Sequence, residues 1–211
     1  MDSLKKELQE KLDKILHVFL FAKDAYNYTE YFHNPETEEE SSFINNSPYS
    51  RQIEFIMHLM FRSLIVEISK LFSNSENDKF RIEKFLNTLS SSGHFRKIGI
   101  NEKKVNEWLN QIIDNQKVID DVLLLRSKVY AHTDNPLTNY QELNISFKKI
   151  KKLLDLAEEI LISIYLEVFD NKLITQSPTF DRQRFGVLKL LVKGESQRIA
   201  EIYKKYYPST S

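Results

Sequence analysis

From Leu4 the chain sets apolar side chains at Leu8, Leu12, Ile15, Phe19, Ala22 and Tyr26, always three or four residues apart. That interval matches one face of a helix with 3.6 residues per turn; a half-buried strand would alternate every second residue. The spacing therefore predicts a first helix from about Ser3 to Phe32. The same interval returns at Ile53, Ile56, Met57, Met60, Leu64, Ile68 and Leu71. It returns again at Val105, Trp108, Leu109, Ile112 and Ile113, and at Ile150, Leu153, Leu154, Ala157, Ile160, Leu161 and Ile164. Each stripe needs a neighbour to cover it, and helices that cover one another form a bundle. Four glycines in 211 residues are too few for the turn density of a sandwich or barrel. The fold class expected is all-α.

Between the stripes, breaker residues mark the joints. HNPETEEESSFINNSP interrupts the periodicity with Pro35, a run of acids and an asparagine pair, and reads as a surface loop. Ser47 with Pro48 reads as the N-cap and first turn of the second helix. A short third helix is expected near Asp78 to Ser91, followed by the loop SSSGHFRKIGI. Asn101 and Glu102 start a long helix that bends or breaks at Asp114 to Lys117, resumes at Val118, and ends at Asp134, Asn135 and Pro136. A further helix spans about Asn144 to Phe169, and a last one about Phe185 to Tyr206. The division expected is a bundle over residues 1–170 and a C-terminal helical extension over 171–211, packed on the bundle or on a partner.

Several function classes drop out. Without cysteine there is no disulfide framework, thiolate nucleophile or cysteine zinc site, and a reducing cytoplasm is the simplest compartment. The opening MDSLKKELQEKLDK alternates acid and base where a signal peptide needs an apolar core, and no window approaches a membrane span. No glycine-rich phosphate loop and no histidine pair spaced for a helical metal site occur, so no cofactor or metal is expected. Thirty basic residues balance thirty acidic ones, so any polyanion site must be local. SFKKIKK at 146–152 and the segment from Arg182 to Lys205 are the basic stretches. Solvated helix faces explain them adequately, although Lys148, Lys149, Lys151 and Lys152 can also guide a polyanion.

Chemistry concentrates in LLLRSKVYAHTDNP, Leu123 to Pro136. Val118, Val122, Leu125, Val129 and His132 share one narrow stripe, while Ile119, Leu123, Arg126 and Tyr130 make the neighbouring line. On a regular helix Arg126 lies about 120° around the axis from His132 and about 9 Å along it, so one helix cannot bring the two together. They converge if the helix unwinds near Ala131, or if a second copy of the chain supplies the facing residue across a two-fold axis. Two arginines and two histidines would then share one cleft. Such a set suits RNA cleavage: histidine moves the 2′-hydroxyl or leaving-group proton, arginine clamps the phosphate, and no metal is required. The competing account pairs Arg126 with Asp120 or Glu67 and leaves His132 as a cap at the helix end, favoured by the macrodipole.

Arg126-Ser127-Lys128-Val129-Tyr130-Ala131-His132-Thr133-Asp134 resembles the HEPN superfamily motif of an arginine, four to six residues and a histidine. Its R-x-K-x-Y-A-H-x-D form is similar to the abortive-infection AbiU-like branch. RSLIVEISKLF, Arg62 to Phe72, resembles that branch's second core helix, and the helix order agrees over about residues 1–170. The resemblance implies a four-to-five-helix bundle that dimerises with its motifs facing each other. It also implies a metal-independent endoribonuclease of a phage-defence or toxin–antitoxin system, with RNA, a second copy and an antitoxin or defence partner as its associates. Arg126 and His132 would be the catalytic pair. Active members often carry Asn, Asp or His directly after the arginine; here Ser127 can hydrogen-bond a phosphate but carries no charge. Other members are binding or scaffold modules without cleavage activity.

The supporting residues each have two readings. Lys128 supports a phosphate or is simply solvated. Tyr130 stacks on a nucleotide or packs, and Asp134 orients His132 or initiates the turn before Pro136. Glu67, among Leu64, Ile65, Val66 and Ile68, needs a cation if it faces the core, and Arg126 is the expected partner. His17, His33, His58 and His94 stand apart from one another in the pattern and read as structural.

Overall fold

The structure is a computed structural model that describes residues 2–131, 145–175 and 186–207. Among these residues it is all-helical: α1 (Asp2–His33), α2 (Glu38–Asn46), α3 (Ser50–Leu71), α4 (Ile82–Leu89), α5 (Glu102–Asp114), α6 (Gln116–Ala131), α7 (Phe147–Phe169) and α8 (Val187–Tyr206). A 3₁₀ turn at Arg96–Ile98 sits between α4 and α5. No described helix is long and apolar enough to cross a membrane.

α1 is the axis of the bundle. Its expected stripe is the buried one, with Leu8, Leu12, Phe19 and Ala22 fully enclosed. α3 packs against it most extensively and α7 covers another side. The Lys5 ammonium donates to the Val168 carbonyl at 3.4 Å, and Lys23 meets Glu158 at 2.5 Å, so α7 runs antiparallel to α1. Between these contacts the Tyr165 hydroxyl donates to the Asp13 carboxylate. Burial, with that carboxylate, holds the tyrosine proton far above its ordinary range. α6 packs on α3, and α5 joins α4 to α6. Ile68, Leu86, Trp108, Val122 and Ile160 belong to one apolar core with the α1 stripe.

The break expected near Asp114 is a single residue. Asn115 ends α5, its amide donating to the Ile112 carbonyl at 3.1 Å, while its own carbonyl accepts from Val118 at 2.9 Å to start α6. Its side-chain amide donates to the Gln111 carbonyl at 2.7 Å. A buried asparagine thus satisfies both helix ends at the joint.

Three local expectations need correction. The segment after Pro35 is a helix over Glu38–Asn46, although it reads as a loop. Thr37 caps it, its hydroxyl accepting the Glu40 amide at 3.1 Å, while the Glu40 carboxylate accepts the Glu36 amide at 2.8 Å. Three glutamates then sit in the first turn, where the helix dipole favours negative charge. Ser47 and Pro48 build a turn instead of a cap; Ser47 accepts the Tyr49 amide at 3.2 Å and α3 starts at Ser50. The third helix is shorter than expected because a turn precedes it, with Asp78 donating to the Ser75 carbonyl at 3.1 Å. Beyond it, a Cβ at Gly93 would lie 2.3 Å from the Thr88 carbonyl oxygen, so that close approach requires glycine.

Replacing Thr37 by alanine is expected to lower stability by about 0.5–2 kcal/mol, the range for an N-cap oxygen. Urea denaturation followed by circular dichroism reads this as an earlier midpoint; an unchanged midpoint would mean that the cap does not hold α2.

A second apolar cluster anchors α8. Leu188 is fully buried with Tyr31, Phe32, Phe43, Ile44 and Ile53, and Val192 packs at its edge. Lys189 adds an ion pair to Glu36 at 3.1 Å. From Ser196 to Tyr207 every residue is exposed.

Candidate functional site

The helix that carries the arginine is fixed by its apolar face. Ile119, Val122 and Leu125 are buried, which turns Leu124 and Ser127 outward and leaves Arg126 half-exposed at the margin. α6 remains helical through Ala131. Unwinding before that residue therefore does not bring the arginine toward the histidine, and residues 126–131 keep helical spacing. His132 and Asp134 lie outside the described residues, as do the side chains of Lys128 and Tyr130.

The Arg126 guanidinium faces the connection between α3 and α4. Its Nη1 stands 4.0 Å from the Asp78 carboxylate, with the two side chains 39% and 30% exposed. At that distance and exposure the pair contributes about 0–1 kcal/mol. The arginine is thus oriented by Asp78 but weakly held, and a phosphate with two oxygens for its fork is a stronger partner.

Glu67 does not supply the counter-charge expected of it. It pairs with Lys70, one turn further along α3, at 2.5 Å. The local partner wins because spacing i, i+3 on one helix puts the two heads side by side whatever the packing between helices. Asp120 does not hold Arg126 either: its carboxylate accepts from Gln116 at 2.8 Å. Both acids proposed for the arginine in the competing account are engaged within their own helices.

Ser127 is exposed, and its hydroxyl donates to the Leu124 carbonyl at 2.7 Å. While that bond persists the hydroxyl offers only lone pairs outward, which a phosphate oxygen does not accept. Serving a phosphate requires a change of rotamer. The lysines of α7 divide: Lys151 is tied to Asp155 at 2.7 Å, whereas Lys148 is exposed at the start of the helix.

A feature that the sequence reading missed lies where α1 ends and α3 and α7 begin. There a groove of about 780 Å³ is lined by His33 and Phe147 together with residues of α3 that include Arg51, Glu54, Phe55, His58 and Phe61. His33 and His58, separate in the sequence pattern, line the same wall. The available signal was the interval of Arg51, Phe55 and His58, which is one face of α3 opposite its core stripe. The other two histidines stay apart: His94 meets Glu7 at 3.0 Å, and His17 borders a different depression beside Phe80. Among the described residues no three histidine, aspartate or glutamate side chains gather as metal donors.

Compared with known protein families, residues 5–186 match the HEPN model described as AbiU2. The match spans the arginine–histidine segment and stops one residue short of α8. No curated protein and no solved structure matches the chain.

Proposed function

The chain belongs to the HEPN AbiU2 family, and from that premise we propose that it is a metal-independent endoribonuclease of an abortive-infection or toxin–antitoxin system, acting in the cytoplasm as a homodimer. The family match over residues 5–186, a span that includes segment 126–134, carries this reading. The position of Arg126 supports it, half-exposed on a regular helix with only a weak anion beside it. One chain offers one such arginine and one histidine; a two-fold axis doubles both.

In the composite cleft the ribose 2′-oxygen attacks the adjacent phosphorus and the bond from phosphorus to the 5′-oxygen breaks. One His132 accepts the proton from the 2′-hydroxyl, and the partner copy's equivalent gives one to the departing 5′-oxygen. The Arg126 guanidinium neutralises charge that grows on the phosphoryl oxygens. In this reading Lys128 supports the phosphate, Tyr130 the base and Asp134 the imidazole. Residues 1–170 form the catalytic bundle, and 171–211 form an extension docked on the bundle or on a partner such as an antitoxin.

A second reading, a non-catalytic module that binds RNA, a nucleotide or a protein partner, draws support from Ser127. Its hydroxyl is engaged with its own helix at the position next to the arginine. Incubating the purified wild type with total RNA in EDTA separates the two. The ribonuclease reading expects fragments ending in cyclic phosphate and beginning with a free 5′-hydroxyl. Intact RNA across varied pools, with RNA bound, would favour the binding module.

A further inference from the structure

We propose that the groove where α1 ends and α3 and α7 begin is a second RNA contact, holding one nucleotide of a single strand with its base on the aromatic wall and its phosphate at Arg51. This rests on the reading of the chain as an RNA-acting protein, but it concerns a different place. The Arg126 site faces the connection after α3, whereas the groove uses the N-terminal half of that helix.

Three observations carry the assignment. The first is a collection of flat rings, with Glu54 the one acid among the lining residues. Phe55 is 62% exposed on α3, and across from it the His33 and Phe147 rings lie 5.2 Å apart at the ends of two other helices. Single exposed apolar residues are common, but rings converging from three helices on one concavity make a stacking surface. The second is the charge beside the rings. Arg51 lies one turn before Phe55 on the same face and makes no ion pair among the described residues, not even with Glu54 of the same groove, so its fork is available to a phosphate that keeps to the Arg51 side.

The third is a polar atom with a defined role. His33 Nδ1 lies 2.7 Å from the Thr29 carbonyl oxygen. A carbonyl only accepts, so Nδ1 carries the hydrogen, and in the neutral ring Nε2 keeps a lone pair for an N–H of a base or a ribose hydroxyl. A flat ring surface, a free guanidinium and one acceptor match the parts of a nucleotide. The volume lies within the range of about 300–1,000 Å³ typical of small-ligand pockets.

The test uses the full chain and a fluorescent 2′-O-methyl oligouridylate, which lacks the nucleophile for cleavage, with affinity followed by anisotropy over a salt series. Phe55→Ala is expected to weaken binding by about 5- to 150-fold, the range of one base–aromatic stack, and Phe55→Trp to retain it. Arg51→Ala should weaken binding and lower the salt slope by about one unit. Leu166→Ala, an exposed apolar residue near the end of α7, serves as the control and should bind as wild type does. Wild-type affinity in both Phe55→Ala and Arg51→Ala overturns the groove while the ribonuclease reading stands on the cleavage assay. Groove-dependent binding without cleavage keeps the groove and removes the ribonuclease. No binding by the wild type overturns the groove outright.

Discussion

His132→Ala is expected to abolish cleavage of total RNA in EDTA, with a loss of at least about 10²- to 10⁴-fold, the contribution of a positioned acid–base group. In a symmetric dimer the substitution enters twice, so proton acceptor and proton donor disappear together. Arg126→Lys separates charge from geometry at the other position. Lysine keeps the positive charge but loses the planar two-point fork, so partial activity is expected where Arg126→Ala leaves almost none. The readout is the yield of cyclic-phosphate ends, after melting curves and sedimentation show that each variant is folded and has the wild-type mass. A His132→Ala protein that cuts at the wild-type rate would remove the histidine from the mechanism. One that loses its fold along with its activity would return it to the role of a helix-end cap.

Trp108→Ala is expected to cost about 3–5 kcal/mol, the range for deleting a large buried aromatic side chain. The indole is 1% exposed in the central core, and its loss leaves a cavity that neighbouring side chains fill only in part. Lys104, one turn earlier, places its ammonium 5.3 Å from the ring centroid while also pairing with Glu167 of α7. Removing the ring therefore loosens the seam between α5 and α7 as well. Against a typical total stability of about 5–15 kcal/mol the effect is large, and it should lower the melting temperature by roughly 6–20 °C. Ile113, on the same helix but 66% exposed, is the comparison; its alanine variant should fall within about 0.5 kcal/mol of wild type. Equal midpoints for the two variants in urea would mean that α5 does not bury the face assigned to it.

Legibility followed the length and contrast of the apolar stripes. α1, α3 and α7 are long, and their buried residues are those that recur every third or fourth position. The joint at Asn115 was visible because the stripe pauses there. α2 was not visible: it offers only Phe43 and Ile44 as buried apolar residues, preceded by three acids and two serines and followed by two asparagines. Its helix depends on the Thr37 cap and on burial against α3 and α8, which a short window does not report.

The helical class of the chain, the course of its long helices and the place of Arg126 on one of them could be read from the order of residues alone. These are consequences of backbone hydrogen bonds four residues apart and of a stripe that must be buried, both local properties. That Arg126 meets Asp78, that Glu67 turns to Lys70, and that His33, Phe55 and Phe147 from three helices share a groove became visible once the helices were packed. Such meetings depend on how ridges of side chains on one helix settle between those of another. Crossing angles and axial offsets set by the packed interior fix them, and spacing along a single helix carries neither quantity.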